Sequence, residues 1–183
     1  MRQLFVRCAY LPVLLFMFLL AGCGYTTRSL LPPDIKTIYI DNFKNDIKVT
    51  AEQSNLRMYR GYRPGMEVDI TRAVVNKFLS DGTLKVANES NADLVLKSSL
   101  IDFRRDALRY DANNNIEEYR IKLVVNMELL NTKTGNAMWA EKGFAGETTY
   151  RTTGSLAISE DAAVNNAIDD LSRRIVERTV EAW

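Results

Sequence analysis

An alternation of apolar and polar residues between residues 117 and 130, with Val124 as the exception on the polar face, is the clearest pattern in the chain. The apolar positions are Tyr119, Ile121, Leu123, Val125, Met127 and Leu129. Successive side chains of a strand point to opposite faces, so a period of two predicts a strand with one buried face. The other face is polar and carries Glu118, Arg120, Lys122, Asn126 and Glu128.

Two more long strands are predicted beside this one. Residues 94–110 lead into it through the turn Asp111–Asn115, and residues 136–150 follow it through the turn Asn131–Gly135. Asn, Asp and Gly favour such turns because they tolerate positive φ, and Gly135 is expected at that position. The β-branched and aromatic run 37–43 predicts a further strand, and residues 84–87 predict a short one.

Two segments repeat apolar residues every three or four positions, which predicts amphipathic helices. The first covers residues 64–80, with Glu67 and Asp69 near its positive N-terminus and Gly82 as its cap. The second covers residues 159–181, with Ser159 as its N-cap. We therefore predict an α+β fold, a two-layer sandwich with two helices packed on one face of a mainly antiparallel four-stranded sheet.

The N-terminal residues carry a different pattern. Arg2 and Arg7 precede an apolar run over residues 9–20, and Leu20-Ala21-Gly22 leads directly into Cys23. A basic start, a short apolar stretch and small residues before a cleavage site predict a secretory signal. Because a cysteine follows the small residues, residues 1–22 resemble a lipoprotein signal peptide, and Cys23 is the expected lipid attachment site.

An uncleaved membrane anchor is the alternative for this segment. A membrane-spanning helix needs roughly 20 apolar residues, whereas this run is shorter and contains Pro12. We therefore expect the mature chain to begin at Cys23, with residues 23–34 as a lipid-proximal tether and residues 35–183 as a single domain. The covalent lipid at Cys23 would fix the protein to a membrane, and no cofactor is expected.

The mature chain would be nearly neutral and would lack the commonest catalytic side chains. Loss of Arg2 and Arg7 changes the formal net charge from +1 to −1, which argues against nucleic-acid binding. The chain has no histidine, and its two cysteines, Cys8 and Cys23, lie in the signal and at the lipid site. Zinc sites, cysteine nucleophiles and disulfides are therefore not expected in the domain, and we predict neither a metal site nor an enzyme.

Clustered arginines beside the turn at residues 111–115 are the candidate binding residues. Arg104, Arg105 and Arg109 approach this turn, and arginine binds phosphate groups through its planar fork of donors. The alternative is a solvated strand end whose positive charge is neutralised by Asp102, Asp106 and Asp111.

Several short motifs follow Cys23 in a fixed order. They are Gly24-Tyr25, the strand of residues 35–43, the helix with Glu67, Ala92-Asp93-Leu94, Tyr110, Tyr119-Arg120, the run from Leu129 to Gly135, and Trp139. This ordered set resembles the LptE family of lipopolysaccharide-assembly lipoproteins over nearly the whole mature chain.

The resemblance implies an outer-membrane lipoprotein that is lipid-anchored on the periplasmic side. Such a protein plugs the lumen of the LptD β-barrel, helps that barrel assemble and assists lipopolysaccharide delivery to the outer leaflet. Barrel lumens are polar, so the polar strand face with Arg120 and Lys122 suits a plug, and it suits a solvated sheet face equally well. Because lipopolysaccharide carries phosphates, the predicted contacts with it are Arg104, Arg105 and Arg109.

Two other functions stay open on the sequence. An adaptor lipoprotein of another envelope machine, either an activator of a cell-wall synthase or a secretion-channel subunit, can begin with a similar strand. The long hairpin pair over residues 94–150 favours the plug. An envelope hydrolase would need two carboxylates converging in one cleft, and Asp41, at the end of the first strand, fits a turn or edge position better.

Overall fold

The computed structural model describes residues 31–47 and 63–181. The predicted signal peptide, the lipid site Cys23 and residues 23–30 of the predicted tether lie outside these residues. The description therefore covers the predicted domain apart from residues 48–62 and 182–183.

The secondary structure follows the predicted bounds of both helices and of the three long strands to within two residues. A single turn of 3-10 helix, Glu89–Asn91, precedes the long strands. In chain order the other elements are β1 (Thr37–Ile40), β2 (Lys44–Asn45), α1 (Met66–Asp81), β3 (Lys85–Val86), β4 (Leu94–Tyr110), β5 (Ile116–Asn131), β6 (Ala137–Arg151) and α2 (Glu160–Val180).

The prediction of a mainly antiparallel, four-stranded sheet is wrong in two respects. Within the described residues the sheet has six strands, in the order β3-β1-β4-β5-β6, with β2 also pairing to β4. The sheet is mixed because β1 runs parallel to β3 and β4, and β2 runs parallel to β4. The sequence pattern missed β2 because two residues cannot show alternation, and the direction of β1 depends on the crossover through α1.

Turn and cap residues adopt the backbone conformations that their types favour. Asn114 and Gly135 have positive φ, 62° and 71°, in the two predicted hairpin turns. Gly82 ends α1 with φ 76°, and its N–H donates to the carbonyl of Phe78. Ser159 caps α2, where its hydroxyl accepts a 3.2 Å hydrogen bond from the N–H of Ala162. These local signals set the lengths of the helices and of the β4–β5–β6 meander.

Both helices cover one face of the sheet, as predicted. The buried stripe of α1 (Met66, Ile70, Val74 and Phe78) and the buried residues of α2 join the same core as Ile121, Leu123 and Leu129 of β5. Full burial of such a side chain contributes about 1.5–3 kcal/mol relative to exposure. Neither helix in the described part of the chain is long and apolar enough to span a membrane.

Candidate functional site

The face of β4, β5 and β6 that is turned away from α1 and α2 carries most of the charged side chains of the sheet. We call it the open face. Its composition follows from β5, in which the buried residues from Ile121 to Leu129 alternate with partly exposed polar ones. Strand pairing extends this face to both neighbours, so that its charged members are Lys97, Asp102, Arg104, Asp106, Arg109, Glu118, Arg120, Lys122, Glu128, Glu147 and Arg151.

Strand register arranges these side chains in rows that mix the two signs of charge. Lys122 lies between Arg104 of β4 and Glu147 of β6. In the next row towards the hairpin turn, Arg120 lies between Asp106 and Thr149, and in the row after that Glu118 lies between Arg109 and Arg151. Lys97 is opposite Glu128 at the other end of the strands. Residues directly opposite each other in a sheet share a face, so these rows form one continuous surface.

The three predicted arginines do not form one patch. Arg104 and Arg109 lie on the open face, whereas Arg105 points into the sandwich and is only 6% exposed. A guanidinium nitrogen of Arg105 lies 2.6 Å from a carboxylate oxygen of Glu160, at the start of α2. The same guanidinium stacks 4.4 Å from the ring centre of Tyr119. Arg105 therefore ties the distal half of the hairpin to α2.

Arg104 and Arg105 are adjacent in a strand and therefore point to opposite faces, and a bulge in β4 determines that Arg105 is the buried one. The register shifts between Leu100 and Asp102, where β4 holds one more residue than β5 opposite. Even-numbered positions such as Leu100 face the core before the bulge, and odd-numbered ones, Phe103 and Arg105, face it afterwards. A bulge changes which residues face inward without leaving a clear mark in the hydrophobic pattern.

The two exposed arginines are already paired. Arg104 contacts Asp102 at 2.7 Å and Arg109 contacts Glu118 at 3.4 Å. The contact with Asp102 agrees with the alternative that acidic neighbours neutralise these arginines. Asp111, which was expected to act in the same way, has another role. Its carboxylate accepts hydrogen bonds from the N–H groups of Asn115 and Asn113, and these bonds lower its pKa. Asp111 therefore stabilises the hairpin turn.

The other charged side chains of the open face have no ion-pair partner in the described part of the chain. Among the described residues no partner within 4.0 Å forms an ion pair with the side chains of Lys97, Asp106, Arg120, Lys122, Glu128, Glu147 or Arg151. The Nε of Arg120 is also buried without a hydrogen-bond partner. The alternation of β5 predicts from the sequence that Arg120, Lys122 and Glu128 lie on this face. That Asp106 and Glu147 lie beside them follows only from the strand register.

A second cluster lies at the opposite end of the long strands, around Asp93. Its carboxylate accepts hydrogen bonds from the N–H groups of Lys36 and Thr37, at 3.0 and 3.1 Å, and from the Thr37 hydroxyl at 2.8 Å. Lys133 lies 3.0 Å from the same carboxylate and 3.7 Å from that of Asp34. The backbone N–H of Lys36 and then Lys133 hold the pKa of Asp93 well below its ordinary value. This cluster fixes the start of β1, where the predicted tether enters the domain.

The surface of the described residues includes a groove and a hollow. A groove of about 660 Å³ runs between the outer sides of α1 and α2, and is lined mostly by polar residues. A hollow of about 370 Å³ is lined by Lys97, Asn126 and Glu128 of the open face, together with Lys44 and Lys142. Within the described residues no group of three or more acidic side chains is placed to hold a metal ion.

Solved structures share the architecture at low sequence identity. The protein XCC0632 from Xanthomonas campestris matches with a TM-score of 0.55 at 16% identity, over 82% of this chain and 90% of that one. The protein CT253 from Chlamydia trachomatis matches with a TM-score of 0.52 at 8% identity, over 79% and 95% of the two chains. These two likenesses establish a shared fold.

A lipoprotein structure and a family model complete the comparison. The rare lipoprotein B from Shewanella oneidensis has a TM-score of 0.47 at 12% identity, over 80% of this chain and 92% of that one. No curated protein matches the chain. The family model described as LptE, lipopolysaccharide-assembly, matches residues 35–179, which is almost the whole predicted domain. The chain therefore belongs to the LptE lipopolysaccharide-assembly family.

Proposed function

We propose that this protein is an outer-membrane lipoprotein that plugs an LptD-like β-barrel and helps that barrel assemble. In this role it also assists the delivery of lipopolysaccharide to the outer leaflet. The observation that carries the proposal is the family match over residues 35–179. A lipid on Cys23 would hold the domain at the periplasmic side of the membrane, so that the domain can enter the barrel from below.

The domain has the physical properties that a plug needs. A barrel lumen is lined by polar side chains, so its occupant must be compact and polar on the outside. The open face presents charged side chains on three strands, while the apolar residues of β5 are buried beneath α1 and α2. The pairing of Asp93 with Lys36, Thr37 and Lys133 fixes the tethered end of the domain. The sandwich therefore offers a rigid body in which the start of β1 is held in place.

The family role supplies a ligand for the arginines near the hairpin turn. Lipopolysaccharide carries phosphates, and Arg104 and Arg109 are the predicted arginines that reach solvent. Both would have to exchange their ion pairs with Asp102 and Glu118 for a phosphate. Arg105 would have to leave Glu160 and the core, so we restrict the proposed lipopolysaccharide contact to the two exposed arginines.

Purification of native complexes tests the proposal. The chain carries an affinity tag at its C-terminus, the envelope is extracted in mild detergent, and the proteins that copurify are identified and quantified. We expect one large outer-membrane β-barrel protein in equal amount. A tagged outer-membrane lipoprotein of unrelated fold serves as the control. Copurification of a cell-wall synthase, a ring of copies of this chain, or nothing stable would contradict the plug.

A further inference from the structure

We propose that the open face is the surface by which the domain docks on the inner wall of its barrel, and that this wall presents both signs of charge. The inference rests on the proposed function and adds to it the side of the plug that binds. Three features of the open face support it: charges without an ion-pair partner among the described residues, their arrangement in rows, and nearly equal numbers of basic and acidic side chains.

Charges of both signs that have no ion-pair partner within residues 31–47 and 63–181 are concentrated on this face. Lys122 and Glu147 are neighbours across β5 and β6, and Lys97 and Glu128 are neighbours across β4 and β5. Neither pair of neighbours has a nitrogen and an oxygen within the 4.0 Å of an ion pair, and the same is true of Asp106 and Arg120. Each of these groups keeps its capacity to pair with a charge from another molecule.

The helix layer differs, because its basic side chains mostly have partners within the chain. Arg173 contacts Asp170 and Glu177 of α2, at 2.7 Å each. Arg178 contacts Glu141 at 2.9 Å, and Arg174 donates to the carbonyl of Ala145. At the start of the helices the ion pairs are Arg72 with Asp69, and Arg63 with Asp161. The helix layer therefore has fewer charges left for a partner.

The balance of charge on the open face selects the class of partner. The open face carries six basic residues and five acidic ones. The basic residues are Lys97, Arg104, Arg109, Arg120, Lys122 and Arg151, and the acidic ones are Asp102, Asp106, Glu118, Glu128 and Glu147. A nearly neutral surface gives little attraction to an anionic membrane, which needs an excess of positive charge over a wide area. The two exposed arginines near the hairpin turn can still bind a single phosphate group. Rows of both signs instead fit a protein surface with complementary rows, and complementarity of this kind fixes the register of two partners.

The geometry adds two features that suit a protein partner. The side chain of Arg120, in the middle of the face, is only partly buried and has no ion-pair partner among the described residues, so its exposed part can bind an acceptor on a facing wall. The hollow of about 370 Å³ beside Lys97 and Glu128 has room for a side chain that projects from the wall. Polar side chains that line a barrel lumen can fill both positions.

Charge reversals of opposite sign on the same face test the inference. One variant carries Lys97→Glu and Lys122→Glu, and a second carries Glu128→Lys and Glu147→Lys. The matched control on α1 carries Arg72→Glu and Lys77→Glu. Each tagged full-length chain is purified from the envelope at low and high salt, and the barrel protein retained on it is quantified. Thermal melting confirms that each variant is folded, and Gln replaces the reversed residues in any variant that is not.

A mixed-charge partner makes a distinctive prediction. Both open-face variants should retain less barrel, by about tenfold or more, because each one places like charges against the wall. The control on α1 should retain the wild-type amount, and high salt should reduce the difference between the open-face variants and the wild type.

Other outcomes overturn the inference. An anionic ligand would make the lysine variant weaker and the glutamate variant stronger. Equal loss in the α1 control, or wild-type retention by both open-face variants, would place the docking surface elsewhere. In those cases the barrel still copurifies with the unaltered chain, so the plug itself stands. Absence of any barrel from the unaltered chain would instead contradict the proposed function.

Discussion

Gly146 of β6 lies directly against Leu171 of α2, and a Cβ at position 146 would come within 2.5 Å of the Leu171 Cα. The helix and the edge strand approach this closely because residue 146 has no side chain. Two side chains of α2 bond the same stretch of strand: Asp170 accepts the N–H of Glu147 at 3.0 Å, and Arg174 donates to the carbonyl of Ala145. Burial alone would raise the pKa of the Asp170 carboxyl group, but its hydrogen bonds with the N–H of Glu147 and with Arg173 outweigh burial and lower that pKa. The helix thus covers part of the exposed edge of the sheet, which discourages pairing with another chain.

We expect Gly146→Ala to destabilise the domain by about 2 kcal/mol, because α2 must move away from β6 to admit the methyl group. Chemical denaturation with circular dichroism measures this loss. Ala140→Val is the control, since it adds methyl groups to an exposed position of the same strand and should leave the free energy of unfolding almost unchanged. If Gly146→Ala unfolds at the same denaturant concentration as the wild type, the close approach of β6 and α2 is contradicted.

We expect Arg105→Met to cost about 3 kcal/mol, because it leaves Glu160 without its partner at the edge of the core. Arg104→Met should change the free energy of unfolding by no more than about 0.5 kcal/mol, since the pair with Asp102 is solvent-exposed on the arginine side. The same denaturation experiment compares the two variants. Equal effects would mean that Arg105 is no more structural than its neighbour.

The contrast between Arg104 and Arg105 shows where sequence reasoning ends. The lengths of β5 and of both helices were predictable from their long periodic patterns, and turn residues on either side marked the ends of β4 and β6. The polar face of β5 was also visible as a local pattern. The bulge at residue 101 reverses the inward and outward positions of β4, and it depends on pairing with β5, which sequence periodicity does not contain.

Strand order was hidden for a similar reason. β2 and β3 have two residues each and exist only because β4 and β1 provide partners for their backbone groups. The unpaired rows of the open face likewise depend on which residues lie opposite each other. Lys122 and Glu147 are 25 residues apart in the chain, and only the β5–β6 register makes them neighbours.

Asp93→Asn should destabilise the domain at neutral pH, by about 2 kcal/mol, because Lys133 loses its charged partner and the N–H groups of Lys36 and Thr37 face a weaker acceptor. The pKa of Asp93 in the folded protein is below its ordinary value of 3.8. Its contribution is therefore complete well above pH 3.8 and is lost as the pH falls below 3.8 towards the folded value.

Urea denaturation of the wild type and of Asp93→Asn across this pH range measures that contribution. The difference in free energy of unfolding should be constant near neutrality and should shrink under acid conditions. The comparison between the two proteins cancels the titration of Asp111 and Asp170, whose pKa values are also lowered. A difference that grows as the pH falls would contradict the role of the Asp93 carboxylate.

Cys23→Ser should abolish lipid attachment, because the thiol is the group that would receive the lipid. Metabolic labelling with a fatty acid, followed by purification of the tagged chain, measures the modification. Cys8→Ser is the matched control, since it changes the other cysteine within the apolar signal and should keep the label. Label on the Cys23→Ser chain would contradict the lipoprotein prediction.

The combined variant Arg104→Glu and Arg109→Glu should lower lipopolysaccharide binding by about tenfold while the domain stays folded, because both residues lie on the open face and each would repel a phosphate. Arg105 is left unchanged, since reversing a buried charge would unfold the hairpin and hide the effect. Binding of purified lipopolysaccharide to the purified lipid-free domain measures the change, with Arg72→Glu and Lys77→Glu as the control of equal charge. If binding is unaltered, the pairs with Asp102 and Glu118 account for both arginines, and lipopolysaccharide must contact another part of the plug.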